Sequence, residues 1–174
     1  MNSPAETEKP MFKRFLRIAR SFLPWRAYHK RPCDGSLAIK IHRQWTPYSC
    51  TASVAQMVAG YYGIKLGHRQ AIQLTDCRPD GATLGSVAKA LKDSHGLRSR
   101  ALRSKAQIRT ALRQGLPVMS NDYLNDGGSH AILLVGQTPK GFWIADPAIG
   151  EVYWRHQDRF FAGADEFIAV SGPN

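Results

Sequence analysis

Between residues 50 and 115 apolar side chains recur every three or four positions; beyond residue 117 they alternate or run together in short blocks. The first period is that of helices with one buried stripe, the second that of strands. The spacing predicts a helix from about Cys50 to Tyr62, burying Val54, Met57, Val58 and Tyr61 and stopped by Gly63. A second helix follows Thr83, a suitable N-cap, and buries Leu84, Val87, Ala88 and Leu91. A third follows Ser104, buries Ile108, Ala111 and Leu112, and ends at Gly115 ahead of Pro117. The segments "PVMSND", "HAILLVGQ", "GFWIADP", "EVYWRH" and "EFIAV" read as strands of a meander, punctuated by turns such as "TPKG" and "PAIG". Helices first and antiparallel strands afterwards argue an α+β fold, with the helices packed on the sheet.

Upstream the pattern changes character. "MNSPAETEKP" is polar and reads as a disordered start. In residues 11–23 Phe12, Phe15, Leu16, Ala19, Phe22 and Leu23 follow helical spacing, with Lys13, Arg14, Arg17 and Arg20 on the remaining surface and Pro24 as the stop. Two roles stand open for this basic amphipathic helix: docking to a membrane surface or an export partner, or packing on the protein's own domain. "RPCDGS" has linker composition, which divides the chain into a basic N-terminal extension, 1–36, and a domain, 37–174.

The 174 residues, 43% hydrophobic, suffice for one domain with a real core. The net charge of +11 is uneven: residues 92–113 hold seven basic groups against one acidic, whereas residues 114–174 hold three against seven. No nucleic-acid motif accompanies the basic stretch, so it reads as a solvated face and nucleic acid is not an expected partner. Cys33, Cys50 and Cys77 are odd in number and show no zinc-ligand spacing, so neither a disulfide framework nor a metal or other cofactor is expected. "MFKRFLRIARSFLPW" is interrupted by four basic residues and does not read as a signal peptide, and no apolar run approaches the length of a membrane span. The expected location is a reducing cytoplasm, with the helix at 11–23 as the candidate device for the inner membrane surface.

One cysteine has a chemical context. Cys50 opens a helix, where unpaired amides and the helix dipole favour an anion and lower a thiol's pKa. His130 begins one strand and Asp146 closes the next, so pairing through a turn at residues 137–141 sets them side by side. A carboxylate there fixes the imidazole tautomer and stabilises its protonated form. Gln44, six residues before the cysteine, offers a side-chain amide to a developing oxyanion, and the Cys50 N–H offers a second donor.

The order Gln44, Cys50, His130, Asp146, the helix from Cys50 through "VAQMVAGYYGI", "GLPVM", "SHAILLVG", "IADPAIG" and the closing "FFAGADEFIAV" together resemble the C39 peptidases, cysteine proteases of papain-like fold. The resemblance spans roughly residues 41–170. Members of that family typically remove leader peptides, often after a double glycine, as domains of bacteriocin-exporting transporters, while others stand alone. The resemblance implies Cys50 as nucleophile, His130 as general base and acid, Asp146 as its orienter and Gln44 as oxyanion donor. It also implies a papain-like fold, a peptide or protein substrate and no metal. Many members have an aspartate before the cysteine and a glycine or alanine after it, where this chain has Ser49 and Thr51; neither transporter spans nor nucleotide-binding motifs follow here. Two other functions compete with peptide hydrolysis. The same triad serves a protein glutamine deamidase or a peptidoglycan amidase, and an inactive copy of the fold serves as a binding module.

Trp45, Tyr48, Tyr123 and Asp126 are the candidates for lining a substrate groove, with Trp143 divided between groove and core. Asp122 and Asp126 are candidates for recognising basic substrates. His95, at a helix end, is explained by the dipole, Tyr61 and Tyr62 by packing, and Cys33 and Cys77 are expected to be surface or packing thiols.

Overall fold

The computed structural model describes residues 36–123 and 128–173. Residues 11–23, Cys33 and Asp126, to which the sequence assigns roles, lie outside the described residues. The elements are α1 (Cys50–Tyr61), α2 (His68–Leu74), α3 (Leu84–His95), β1 (Arg98–Ala101), α4 (Lys105–Arg113), β2 (Val118–Tyr123), β3 (Ser129–Thr138), β4 (Gly141–Asp146), β5 (Glu151–His156), α5 (Gln157–Phe161) and β6 (Phe167–Ser171). All strand pairs are antiparallel, in the order β1-β6-β2-β3-β4-β5. The α+β class and the helix-on-sheet arrangement follow the hydrophobic pattern.

The caps are those the sequence signals. Thr83 Oγ1 accepts the Ser86 N–H at 3.1 Å, and Ser104 Oγ accepts the Gln107 N–H at 3.2 Å. Helix α3 ends after His95 on left-handed Gly96, and Gly63, at φ 76°, follows α1. The aromatic pair at the end of α1 ties it to the sheet: the Tyr61 hydroxyl donates to Gly115 O and the Tyr62 hydroxyl to Val170 O.

The run "AILLV" in β3 is apolar at every position because both faces of the sheet are covered. Leu133 and Val135 pack under α1 and α3 with Val54, Met57, Val58, Val87 and Leu91. Ile132 and Leu134 face the other way, with Ile108, Phe142, Ile144 and Phe160. Each such side chain stabilises the fold by about 1.5–3 kcal/mol. Helix α1 is buried on more than the predicted stripe: Ala52, Ala55 and Ala59 are also fully enclosed. Their small side chains let α2, α3 and β3 approach from several sides.

Four elements depart from the sequence reading. Strand β1 interrupts the block of helices, and all four of its residues are exposed. It is recruited by backbone pairing to β6 and carries no apolar alternation. Helices α2 and α5, seven and five residues long, are too short to show a helical period. The meander β2 to β5 is present, but β6 returns to lie beside β2, not beside β5. No helix among the described residues is long and apolar enough to cross a membrane.

Candidate active site

The site is assembled from three parts of the chain. Cys50 is the first residue of α1, so its N–H has no carbonyl within its own helix. His130 lies at the start of β3, opposite Asp122 in register, and Asp146 is the last residue of β4. The two-residue turn between Thr138 and Gly141 closes the β3–β4 hairpin and brings those strand ends together. The segment leading into α1 is sewn to the same sheet: Leu37 N–H donates to Val135 O at 2.7 Å, and Gln44 N–H to Pro147 O at 2.9 Å. That last bond places Gln44 against the residue following Asp146.

His130 Nε2 and Asp146 Oδ1 are 2.7 Å apart, and both side chains are buried. The same Oδ1 accepts the Ala148 N–H at 2.8 Å, so Asp146 both orients the imidazole and caps the turn after β4. The carboxylate fixes the Nε2–H tautomer. The Cys50 sulfur is hydrogen-bonded to the His130 ring, whose remaining nitrogen is Nδ1, and the backbone amides of Ala131 and Thr51 also face the sulfur.

These contacts set the charges. Burial alone would raise the Cys50 thiol, but the hydrogen bond and charge of His130, with the two amides, outweigh it and hold the pKa below the ordinary thiol value. Burial would lower His130, yet the Asp146 carboxylate and the Cys50 sulfur push it up to about 10. Asp146 is held below the usual carboxylate range, against burial, by His130, the Ala148 amide and Arg155. The arrangement favours a thiolate beside an imidazolium at neutral pH.

Gln44 Nε2 donates one of its two N–H groups to Thr46 O at 2.9 Å; its Oε1 is buried without a partner among the described residues. The amide is thus partly engaged by its own turn, and its second N–H is the one open to a further acceptor. Trp45, 67% exposed, and Tyr123, 48% exposed, are the large hydrophobic side chains that stand in solvent among the described residues. One follows Gln44; the other adjoins Asp122 at the end of β2. Trp45 stacks on His68 at 4.3 Å between ring centroids. Tyr48 is half-buried and packs on Ala52, Ala71 and Cys77. Trp143 is core.

Asp122 is not available to a substrate. It is buried and paired with Arg155 Nη1 at 2.8 Å, while Arg155 Nη2 donates to the Tyr153 hydroxyl at 2.7 Å. A charge at a strand end read as exposed because nothing local in sequence announces a partner 33 residues away. Ser49, in sequence only a departure from the family pattern, has a structural role: its hydroxyl accepts the N–H groups of Trp45 and Thr46 at 3.1 and 3.0 Å. Its position beside the cysteine was the available signal. Cys77 is a buried packing thiol, donating to Tyr48 O at 3.0 Å, with its pKa raised by burial.

Solved structures share this architecture. The peptidase domain of Streptococcus ComA, a bifunctional ABC transporter involved in quorum sensing, superposes with a TM-score of 0.69 at 19% identity, over 78% of this chain and 98% of that one. A double glycine motif protease from an AMS/PCAT transporter, solved with its leader peptide, gives 0.65 at 21% identity, over 79% and 94%. A C39-like peptidase from Bacillus anthracis gives 0.61 at 13% identity, over 79% and 96%. At such identities these likenesses establish the papain-like fold. No curated protein matches the sequence. The family model of the Peptidase C39 family matches residues 38–163, which is most of the folded domain, and the chain belongs to that family.

Proposed function

We propose that this protein is a cysteine peptidase that hydrolyses a peptide bond, of the leader-processing type, through a thioester intermediate. The observation that carries the reading is the linked set Cys50–His130–Asp146, with the sulfur at the first residue of a buried helix. The Cys50 thiolate attacks the scissile carbonyl carbon; a C–S bond forms and the π pair moves to oxygen. The Cys50 N–H and the second N–H of Gln44 Nε2 receive that oxyanion. The His130 imidazolium gives its proton to the leaving nitrogen as the C–N bond breaks, and Asp146 keeps the ring in place. Water, deprotonated by His130, then attacks the thioester and releases the carboxylate and the thiolate.

Trp45, Tyr48 and Tyr123 are assigned to the walls of the groove, with Asp126, four residues before His130 in sequence, as a further contact. The exposure of Trp45, next to Gln44, and of Tyr123, next to Asp122, supports this, since solvated aromatics are available for side chains of a bound peptide. That a relative of the same fold was solved with its leader peptide supports the substrate class. The basic spacing of residues 11–23 supports a docking role at an anionic membrane surface.

The test is intact-mass analysis of candidate leader peptides incubated with the wild type and with Cys50→Ala. Cleavage by the wild type alone is expected. A gain of about one dalton on a glutamine, with ammonia released and the backbone intact, would replace the peptidase reading with a deamidase.

A further inference from the structure

A serine immediately before a helix ordinarily accepts an N–H from the first turn. Ser49 precedes α1 and makes no such bond. Its hydroxyl is turned backward and accepts the N–H groups of Trp45 and Thr46, while donating to Thr46 O at 3.2 Å. The residue is fully buried, so these bonds do not compete with water. Thr46 O is the junction of the turn: it also accepts Gln44 Nε2–H at 2.9 Å and Ser49 N–H at 3.2 Å. Two consequences follow from one oxygen. The amides that begin α1 are left without a serine cap beside Cys50, and the carbonyl against which the Gln44 amide is braced is fixed in place.

We propose that Ser49 is the positioning residue of the oxyanion site: its hydroxyl orients Gln44 through Thr46 O and leaves the start of α1 open to negative charge. The inference rests on the reading that Gln44 and the Cys50 N–H receive the oxyanion. Ser49 does so without bringing a charge of its own next to the thiolate, which a carboxylate in its place would do.

The probe is the peptide aldehyde N-acetyl-Gly-Gly-al. The Cys50 thiolate adds to its carbonyl carbon, a C–S bond forms, and the former π pair rests on an oxygen that takes the His130 proton. That oxygen occupies the place of the oxyanion in turnover. Iodoacetamide, by contrast, loses iodide to the same thiolate and develops no such oxygen. Aldehyde affinity is read by protection of Cys50 from iodoacetamide, quantified by peptide mass mapping. Ser49→Ala is expected to weaken the aldehyde roughly tenfold to a hundredfold, with the iodoacetamide rate constant in its absence changed less than about threefold. Ser49→Thr, whose hydroxyl still accepts both N–H groups and donates to Thr46 O, is expected to recover most of the affinity, whereas Ser49→Asp, which accepts but cannot donate to Thr46 O, is expected to raise the acid limb of the alkylation profile by roughly one pH unit. Gln44→Ala/Ser49→Ala is expected to bind no more weakly than Gln44→Ala alone, because Ser49 acts through Gln44. Aldehyde binding by Ser49→Ala within twofold of wild type, while Gln44→Ala is weakened, overturns the proposal; so do additive losses in the double variant. Should Ser49→Ala fail to fold, a folded Ser49→Thr with a tenfold or greater loss overturns it equally. A Gln44→Ala variant indistinguishable from wild type, or a wild type that the aldehyde does not protect, refutes the oxyanion reading itself, and the inference falls with it.

Discussion

Asp146→Asn removes one charge from the buried site and keeps the side chain's shape. The carboxylate oxygen lies 2.7 Å from His130 Nε2. Opposite charges about 4 Å apart attract by about 4 kcal/mol at an effective dielectric constant of about 20. At about 1.4 kcal/mol per pKa unit that is about three units. Together with the Cys50 sulfur, that attraction carries His130 from 6.5 up to about 10 against the opposing effect of burial. Without the charge, burial acts unopposed by Asp146, and His130 is expected to titrate near or below its ordinary value. Thiolate formation at Cys50 leans on the imidazolium, so it must move to higher pH.

The assay is the rate of Cys50 alkylation by iodoacetamide as a function of pH, resolved from Cys33 and Cys77 by peptide mapping. The wild-type acid limb is expected well below the ordinary thiol value of 9.0, and the Asp146→Asn limb at least about one unit higher. Stability supplies a second reading with a fixed sign. Asp146 is depressed in the fold, so its contribution is present above its unfolded value of 3.8 and is lost as pH falls through the lower folded value. His130 is raised, so its contribution is complete below 6.5 and is lost as pH rises from there through about 10. Cys50 is lowered, so its contribution grows with pH until the unfolded thiol titrates at 9.0 and offsets the loss from His130 over neutral pH; urea midpoints of the wild type should therefore decline chiefly above that value, and those of Asp146→Asn should decline less. A folded Asp146→Asn whose alkylation limb stays within about 0.3 unit of wild type would refute the electrostatic account.

Other substitutions test the scaffold. Arg155→Met leaves Asp122 as a buried unpaired charge and is expected to cost about 3–5 kcal/mol in urea unfolding, most of it regained in Arg155→Met/Asp122→Leu. Phe142→Ala opens a cavity among Phe160, Ile144 and Ile132 and should cost about 3–5 kcal/mol by the same measurement. Thr83→Ala removes the acceptor for Ser86 N–H and should cost about 1 kcal/mol. Deleting residues 1–35 is expected to leave a folded domain with unchanged Cys50 alkylation, and to abolish flotation with anionic phosphatidylglycerol vesicles if residues 11–23 dock to membranes.

Much of the fold was legible because its helices and central strands bury enough to impose a period. Val54, Met57 and Val58 in α1 and Leu84, Val87 and Leu91 in α3 mark their faces by spacing alone. Strand β1 was not legible, since Arg98, Ser99, Arg100 and Ala101 are held by the backbone of β6 and their side chains record nothing of it. The order of the sheet was hidden for a related reason: nothing in "EFIAV" says which edge of the meander it joins. Proximity of His130 to Asp146, by contrast, followed from a hairpin with a two-residue turn, although an irregularity between Leu134 and Gly136 that the sequence does not announce shifts its register on the way to the site.

The same distinction separates what could be read of the site from what could not. Cys50, His130 and Asp146 sit at element ends, where local sequence marks the boundary, Gln44 lies in the segment that leads into α1, and their residue types name the chemistry they can perform. Their supports carry no such mark. Asp122 and Arg155 are an ion pair only because β2 and β5 bring them to one face, and either looks in sequence like a solvated charge. Ser49 looks like a helix cap, the commonest employment of a serine at that position, and turns its hydroxyl the other way. What decides its direction is the competition for one oxygen between the first-turn amides of α1 and the N–H groups of Trp45 and Thr46. The turn wins because Gln44 is already tethered to Pro147 O, which holds those two amides within reach. A tether between the turn that follows β4 and the residue six positions before the cysteine is therefore what frees the helix start beside the sulfur, and no reading confined to neighbours in sequence contains it.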